Sequence, residues 1–236
     1  MTPEVLRTSA AHVLVSGASM GEPVLALDDD EAHHLCRVLR LRPGAAVTAT
    51  DGRGTWVPAA LAVDHGGQAE LRVTGEPQRG EPASALELAV TIPKGDRLDW
   101  MVQKVTELGA ARLVLLHADH SVVRWPPERI DRHLARAQRV ADEALRQSRR
   151  TRRLVVAPPI AAADYLADDE APAPVIAEPG GRRLSADDQR VVVGPEGGWS
   201  ERELASGRDT VDLGPTILRT ETAAVAVAAR CVAISR

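Results

Sequence analysis

The sequence predicts an α/β chain in two parts: a small β-rich domain, then a larger domain on a parallel sheet. Three observations predict it. Up to about residue 78, short apolar runs follow one another closely and are joined by glycine turns, as in a small barrel. Glu76 to Ser84 (EPQRGEPAS) holds two prolines, a glycine and no periodicity, and reads as a linker. After it, β-type runs alternate with helical apolar spacing, the pattern of βαβ units and hence of parallel strands. The expected division is residues 1–78, a linker at 79–84 and a second domain at 85–236.

In the first domain, Ala11 to Val15 and Val24 to Leu27 are strand candidates. Asp28 with Glu31 three residues on has capping-box spacing and opens a short helix through Arg40. Arg42-Pro43-Gly44 breaks that helix. Ala45 to Thr50, Thr55 to Val63 and Glu70 to Thr74 follow as strands around the turns Asp51–Gly54 and His65–Gly67. Arg37, Arg40, Arg42 and Arg53 fall on the helix end and loops, where they can contact phosphate or form a solvated charged rim.

In the second domain, Leu86 to Ile92 is a strand and Asp96 is placed to cap a helix. The apolar positions of that helix are Leu98, Met101, Val102, Val105 and Leu108, and Gly109 ends it. Arg112 to Leu116 completes the βαβ unit. Lys94 and Arg97 lie where the first strand meets its helix and are candidate phosphate contacts.

Pro127 to Ser148 is the longest predicted helix. Ile130, Leu134, Ala137, Ala141, Ala144, Leu145 and Ser148 form its apolar face; Arg132, Arg136, Arg139, Arg146 and Arg150 lie opposite. Asp119 to Arg153 carries ten arginines against five acids in a chain of net charge -4. Arg149, Arg150, Arg152 and Arg153 run past the helix without nearby acids. An RNA-facing stripe is expected, a solvated face being the plainer alternative. His117-Ala118-Asp119-His120 and His33-His34 lack a further ligand and read as structural, so no metal site is expected.

Leu154 to Ala157 and Pro174 to Ala177 are further strands, the second ending in Glu178-Pro179-Gly180-Gly181. Val191 to Val193 ends in Gly194-Pro195, and Val211 to Leu213 ends in Gly214-Pro215. Ser200 and Glu203 form a capping box, and Thr220 or Thr222 can cap the last helix. Three Gly/Pro loops at strand ends offer close backbone groups around one pocket. Neither GxxxxGK[ST] nor GxGxxG follows a strand, so an adenosine-bearing ligand without a pyrophosphate fits better than a triphosphate or NAD.

With aromatic residues at 2% and no Phe, the core must be built from Ala, Val and Leu. Cys36 and Cys231 fit no metal or redox spacing. No signal peptide or membrane span is visible, and a cytoplasmic location is expected.

GPEGGWSEREL followed by LGPTILRTETAA resembles the C-terminal signature of the RsmE family of SPOUT methyltransferases. HHLCRVLRLRPG and KGDRLDWMVQKVTELGA resemble the family's more N-terminal segments, so the likeness runs in order along nearly the whole chain. It implies a PUA-like RNA-binding barrel, a SPOUT domain with a C-terminal trefoil knot, and a homodimer with the active site at the subunit interface. It implies S-adenosylmethionine as cofactor and N3 of a uridine in 16S ribosomal RNA of the small subunit as target. The implied cofactor contacts are Ala177, Glu178, Val193, Gly194, Pro195, Gly197, Gly198, Leu213, Gly214, Ile217, Leu218 and Thr222. Gln147 and Arg150 match the family; Arg146 and Arg149 stand where it usually reads Glu and Gly, and His120 where Arg is common.

For N3 methylation, Arg219 is the expected group for stabilising the uracil anion, with an ion pair to Glu196 or Glu221 as its structural alternative. Glu196 and Glu221 are candidate bases or loop anchors. The rival readings are a non-catalytic RNA-binding or ribosome-assembly protein and a nucleotide-dependent enzyme using the same loops.

Overall fold

The computed structural model describes residues 3–15, 17–82, 84–185 and 187–234, so Ala83 of the expected linker lies outside the described residues. The chain divides into two compact units, and the first is discontinuous: it joins residues 1–83 to Leu145–Arg153. A contiguous reading gives that second segment to the other domain.

The first unit opens with helix α1 (Glu4–Thr8). Its strands are β1 (His12–Leu14), β2 (Val24–Ala26), β3 (Ala46–Thr50), β4 (Thr55–Val63), β5 (Ala69–Val73) and β6 (Gln78–Arg79). They pair in the order β1-β3-β4-β5-β2, with β6 on β4, so part of the expected linker is a strand. Helix α2 (Asp29–His33) runs into a π-helical turn over His34–Val38. Asp28 caps α2 through Glu31 N, but Glu31 does not complete the capping box. Its carboxylate is buried and paired with Arg146 instead. The core holds Val13, Leu25, Leu35, Val47, Val57, Leu61 and Leu71.

The returning segment carries the arginines expected to lack acids, and Glu81 supplies the missing carboxylate. Thr151 N and Oγ1 and Arg152 N donate to it at 2.6–3.1 Å. Arg150 is 7% exposed, 3.7 Å from Glu81. Burial opposes the Glu81 charge, but hydrogen bonds from Thr151 outweigh it and hold the carboxyl below its usual range. Arg149 takes φ 59° and donates through both terminal guanidinium nitrogens to Ser9 Oγ and Ser9 O. His12, buried, bonds Thr48 Oγ1 and the Arg150 carbonyl, each at 2.8 Å.

The second unit is a six-stranded, all-parallel sheet in the order β12-β10-β11-β7-β8-β9. Its elements are β7 (Glu87–Thr91), α3 (Arg97–Leu108), β8 (Arg112–His117), α4 (Ile130–Ser148), β9 (Val155–Ala161) and α5 (Ala162–Leu166). Then come β10 (Val175–Arg183), β11 (Arg190–Val193), α6 (Glu201–Leu204), β12 (Thr210–Asp212) and α7 (Thr220–Ile234). The last turn of α4 belongs to the first unit. Gly109 ends α3 at φ 103°, the left-handed position expected of it. Both sheet faces are covered. Leu88, Val90, Val191 and Val193 pack on one side with α3 and α7, while Ala89, Val114, Ile176 and Val192 pack on the other with Tyr165 and Trp199. β10 continues beyond the expected strand end, yet Ala177 and Arg182 both pair with Val211, so Glu178–Gly181 bulges out of the ladder.

Candidate active site

The C-terminal ends of β10, β11 and β12 frame a cleft of about 240 Å³. Ala177, Glu178, Val193, Gly194, Pro195, Gly198, Leu213, Gly214, Ile217 and Leu218 line it; of the expected cofactor contacts, Gly197 and Thr222 do not. Gly197 instead backs onto His120, and Thr222 faces a neighbouring cavity.

Each loop is held by a specific bond. Asp212 Oδ1 accepts from Gly214 N at 2.6 Å and Oδ2 from Gly180 N at 3.1 Å, tying the loop after β12 to the bulge in β10. These bonds, Gly214 first, hold the Asp212 carboxyl below its usual range. Thr220 Oγ1 donates to Gly194 O at 2.9 Å, tying the start of α7 to the loop after β11. Neither Thr220 nor Thr222 therefore stands as the cap, because α7 already begins at Thr220. Gly194 is required by close approach: a Cβ there would lie 2.7 Å from the Trp199 ring.

The loop after β8 braces the GPEGGWS segment. His120 Nδ1 lies 3.1 Å from Gly198 O, and Asp119 accepts from Ser200 Oγ at 2.6 Å and from Arg202 at 2.7 Å. Asp119 N donates to Glu203 Oε1, while Glu203 Oε2 accepts from Ser200 N and closes the Ser200–Glu203 capping box.

Among the described residues, the charged groups lining the cleft are Glu178, Glu196 and Asp212, with no Lys or Arg. Burial pushes the Glu178 carboxyl up. Such a lining repels phosphate and suits a ligand with a cationic centre, seated on Val193, Leu213, Leu218 and Ala223. Sequence reasoning missed Trp199, Asp212 and Thr220. Asp212 was readable, since an Asp two residues before a Gly is an Asx-turn signal.

Residues 80–232 match the RNA methyltransferase domain family, and residues 27–74 match the RNA methyltransferase PUA domain family. The chain is 34% identical over 232 residues to the ribosomal RNA small subunit methyltransferase E of Mycobacterium bovis, covering 90% of this chain and 88% of that one. The chain belongs to the ribosomal RNA small subunit methyltransferase E family. It is 28% identical to the Bacillus subtilis protein of that name, covering 85% of this chain and 86% of that one. A solved methyltransferase E from Neisseria gonorrhoeae bound to S-adenosyl methionine matches with a TM-score of 0.79 at 31% identity, covering 93% of this chain and 96% of that one.

In this member of the methyltransferase E family, Arg219 is exposed, immediately before α7, and forms no ion pair among the described residues. Arg97 forms the ion pairs that were the structural alternative for Arg219, lying 3.7 Å from Glu196 and 3.8 Å from Glu221. Glu221 is 7% exposed, with its Oε2 buried and unpartnered. The candidate RNA contacts separate into two groups. Arg37, Arg40, Arg42, Lys94, Arg132, Arg139 and Gln147 are exposed. Arg136 donates through Nε and one terminal nitrogen to Asp99 Oδ2, Arg97 is paired with Glu196 and Glu221, and Arg150 is buried. An RNA contact by Arg150 is therefore corrected to a structural role, because Glu81, distant in sequence, pairs with it.

Proposed function

We propose that the chain transfers the methyl group of S-adenosylmethionine to N3 of a uridine in 16S ribosomal RNA of the small subunit. The supporting observation is the cleft itself: glycine-rich backbone, an apolar floor and carboxylates as its charged groups. That donor set fits a sulfonium-bearing adenosine and disfavours ATP or NAD. The main-chain groups of Gly194, Gly198 and Gly214 would hold it. When bound, the cofactor supplies an electrophilic methyl.

Neutral uracil N3 is a poor nucleophile because it carries a proton. The chain must favour loss of that proton, stabilise charge on O2 and O4, and align N3. Arg219 offers an exposed guanidinium suited to the oxyanion. Glu221, held by Arg97, and the more exposed Glu196 are the candidate proton acceptors. The reading extends to a PUA-like domain in the first unit and a SPOUT domain in the second. It also includes a trefoil knot formed as the chain passes from β12 to α7, a homodimer and a cytoplasmic location. The exposed arginines of α4 and of the turn after α2 would face RNA. No helix among the described residues is long and apolar enough to cross a membrane.

Calorimetric titration tests the ligand assignment. S-adenosylmethionine is expected to bind while ATP and NAD do not; the reverse order would favour a nucleotide-dependent enzyme.

A further inference from the structure

Beside the cofactor cleft lies a second cavity, lined by Asp96, Arg97, Trp100, Glu221 and Thr222. The two adjoin through one guanidinium: Arg97 touches Glu196, which lines the cleft, and Glu221, which lines the cavity. Two features of the cavity point to a ligand. The chain has four Trp, one Tyr and no Phe. Trp56, Trp125, Tyr165 and Trp199 are buried, whereas Trp100 is 44% exposed on the first turns of α3. An indole left in water in a chain so poor in aromatics offers a flat apolar face. The nearly buried Glu221 also keeps one carboxylate oxygen without a partner, a cost that a donor from a ligand would offset.

We propose that Trp100 is the stacking face for the target base, which enters this cavity with its polar edge toward Arg97 and Glu221. This rests on the methyltransferase reading above. Chemistry at a ring nitrogen requires the base to leave its stack, and enzymes hold such a base between aromatic or apolar side chains. Trp100 thereby sets recognition of a planar pyrimidine, while the cleft holds the cofactor.

Trp100→Ala and Trp100→Phe in the full chain test this, with small-subunit ribosomal RNA as substrate. Trp100→Ala is expected to lower kcat/KM for RNA by about tenfold to a hundredfold, mainly through KM. Affinity for S-adenosylmethionine and particle mass should stay unchanged, and Trp100→Phe should recover most activity. Wild-type kcat/KM in Trp100→Ala overturns the proposal. So does a loss accompanied by altered particle mass, which would make Trp100 a contact with a second copy. A wild-type protein that methylates no RNA overturns the methyltransferase reading and this proposal together. If Trp100→Ala does not fold, tryptophan emission decides: a uridine-containing oligonucleotide should quench the wild type and not Trp100→Phe, and equal quenching overturns the assignment.

Discussion

Thr220 Oγ1 donates a 2.9 Å hydrogen bond to Gly194 O, fastening the start of the last helix to the loop that follows β11. Thr220 is buried, and both residues line the cleft. Thr220→Val keeps the shape and removes the donor. It should lower stability by about 1–2 kcal/mol, the cost of stranding a carbonyl. It should also weaken S-adenosylmethionine binding by up to about tenfold. Denaturation and calorimetry measure the two effects; unchanged affinity would show that this bond does not shape the cleft.

Arg149 holds a left-handed backbone at φ 59°, a conformation that favours Gly. Its side chain bonds Ser9, so both Arg149→Ala and Arg149→Gly lose those contacts. Only Ala retains a Cβ in the disfavoured region. Arg149→Gly should therefore be the more stable of the two by about 1 kcal/mol in urea denaturation. Equal midpoints would mean that the turn relaxes away from the left-handed conformation.

Burial pushes the His12 imidazole from 6.5 down to about 4, with the charge of Arg149 acting in the same direction and the Arg150 carbonyl opposing. The folded pKa is depressed, so the unfolded chain takes up the proton first. Stability from this site is complete above about pH 6.5 and is lost as the pH falls to about 4. The slope is at most about 1.4 kcal/mol per pH unit. His12→Gln should flatten the denaturation midpoint across that window; an unchanged slope would assign the acid sensitivity elsewhere.

Much of this was legible because it is local. The Ser200–Glu203 capping box, the Gly109 stop and the β-branched runs before Gly194 and Gly214 depend on residues a few positions apart. What was not legible is long-range pairing. Glu81 neutralises an arginine run some 70 residues downstream, and Glu31 meets Arg146 instead of its own helix cap. Sequence spacing cannot show that Thr220 anchors a loop rather than capping its helix, because that depends on where Gly194 lies in space. The bulge at Glu178–Gly181 is likewise a matter of register with β12.

Methylation of a small-subunit uridine at N3, assisted by Arg219, leaves a product that can be read directly. Mass spectrometry of nucleosides from 16S ribosomal RNA tests it, in a strain lacking this gene and complemented with wild type or Arg219→Ala. 3-Methyluridine is expected to be lost in the deletion, restored by wild type and not restored by a folded Arg219→Ala protein. Retention of 3-methyluridine in the deletion strain would contradict the assignment.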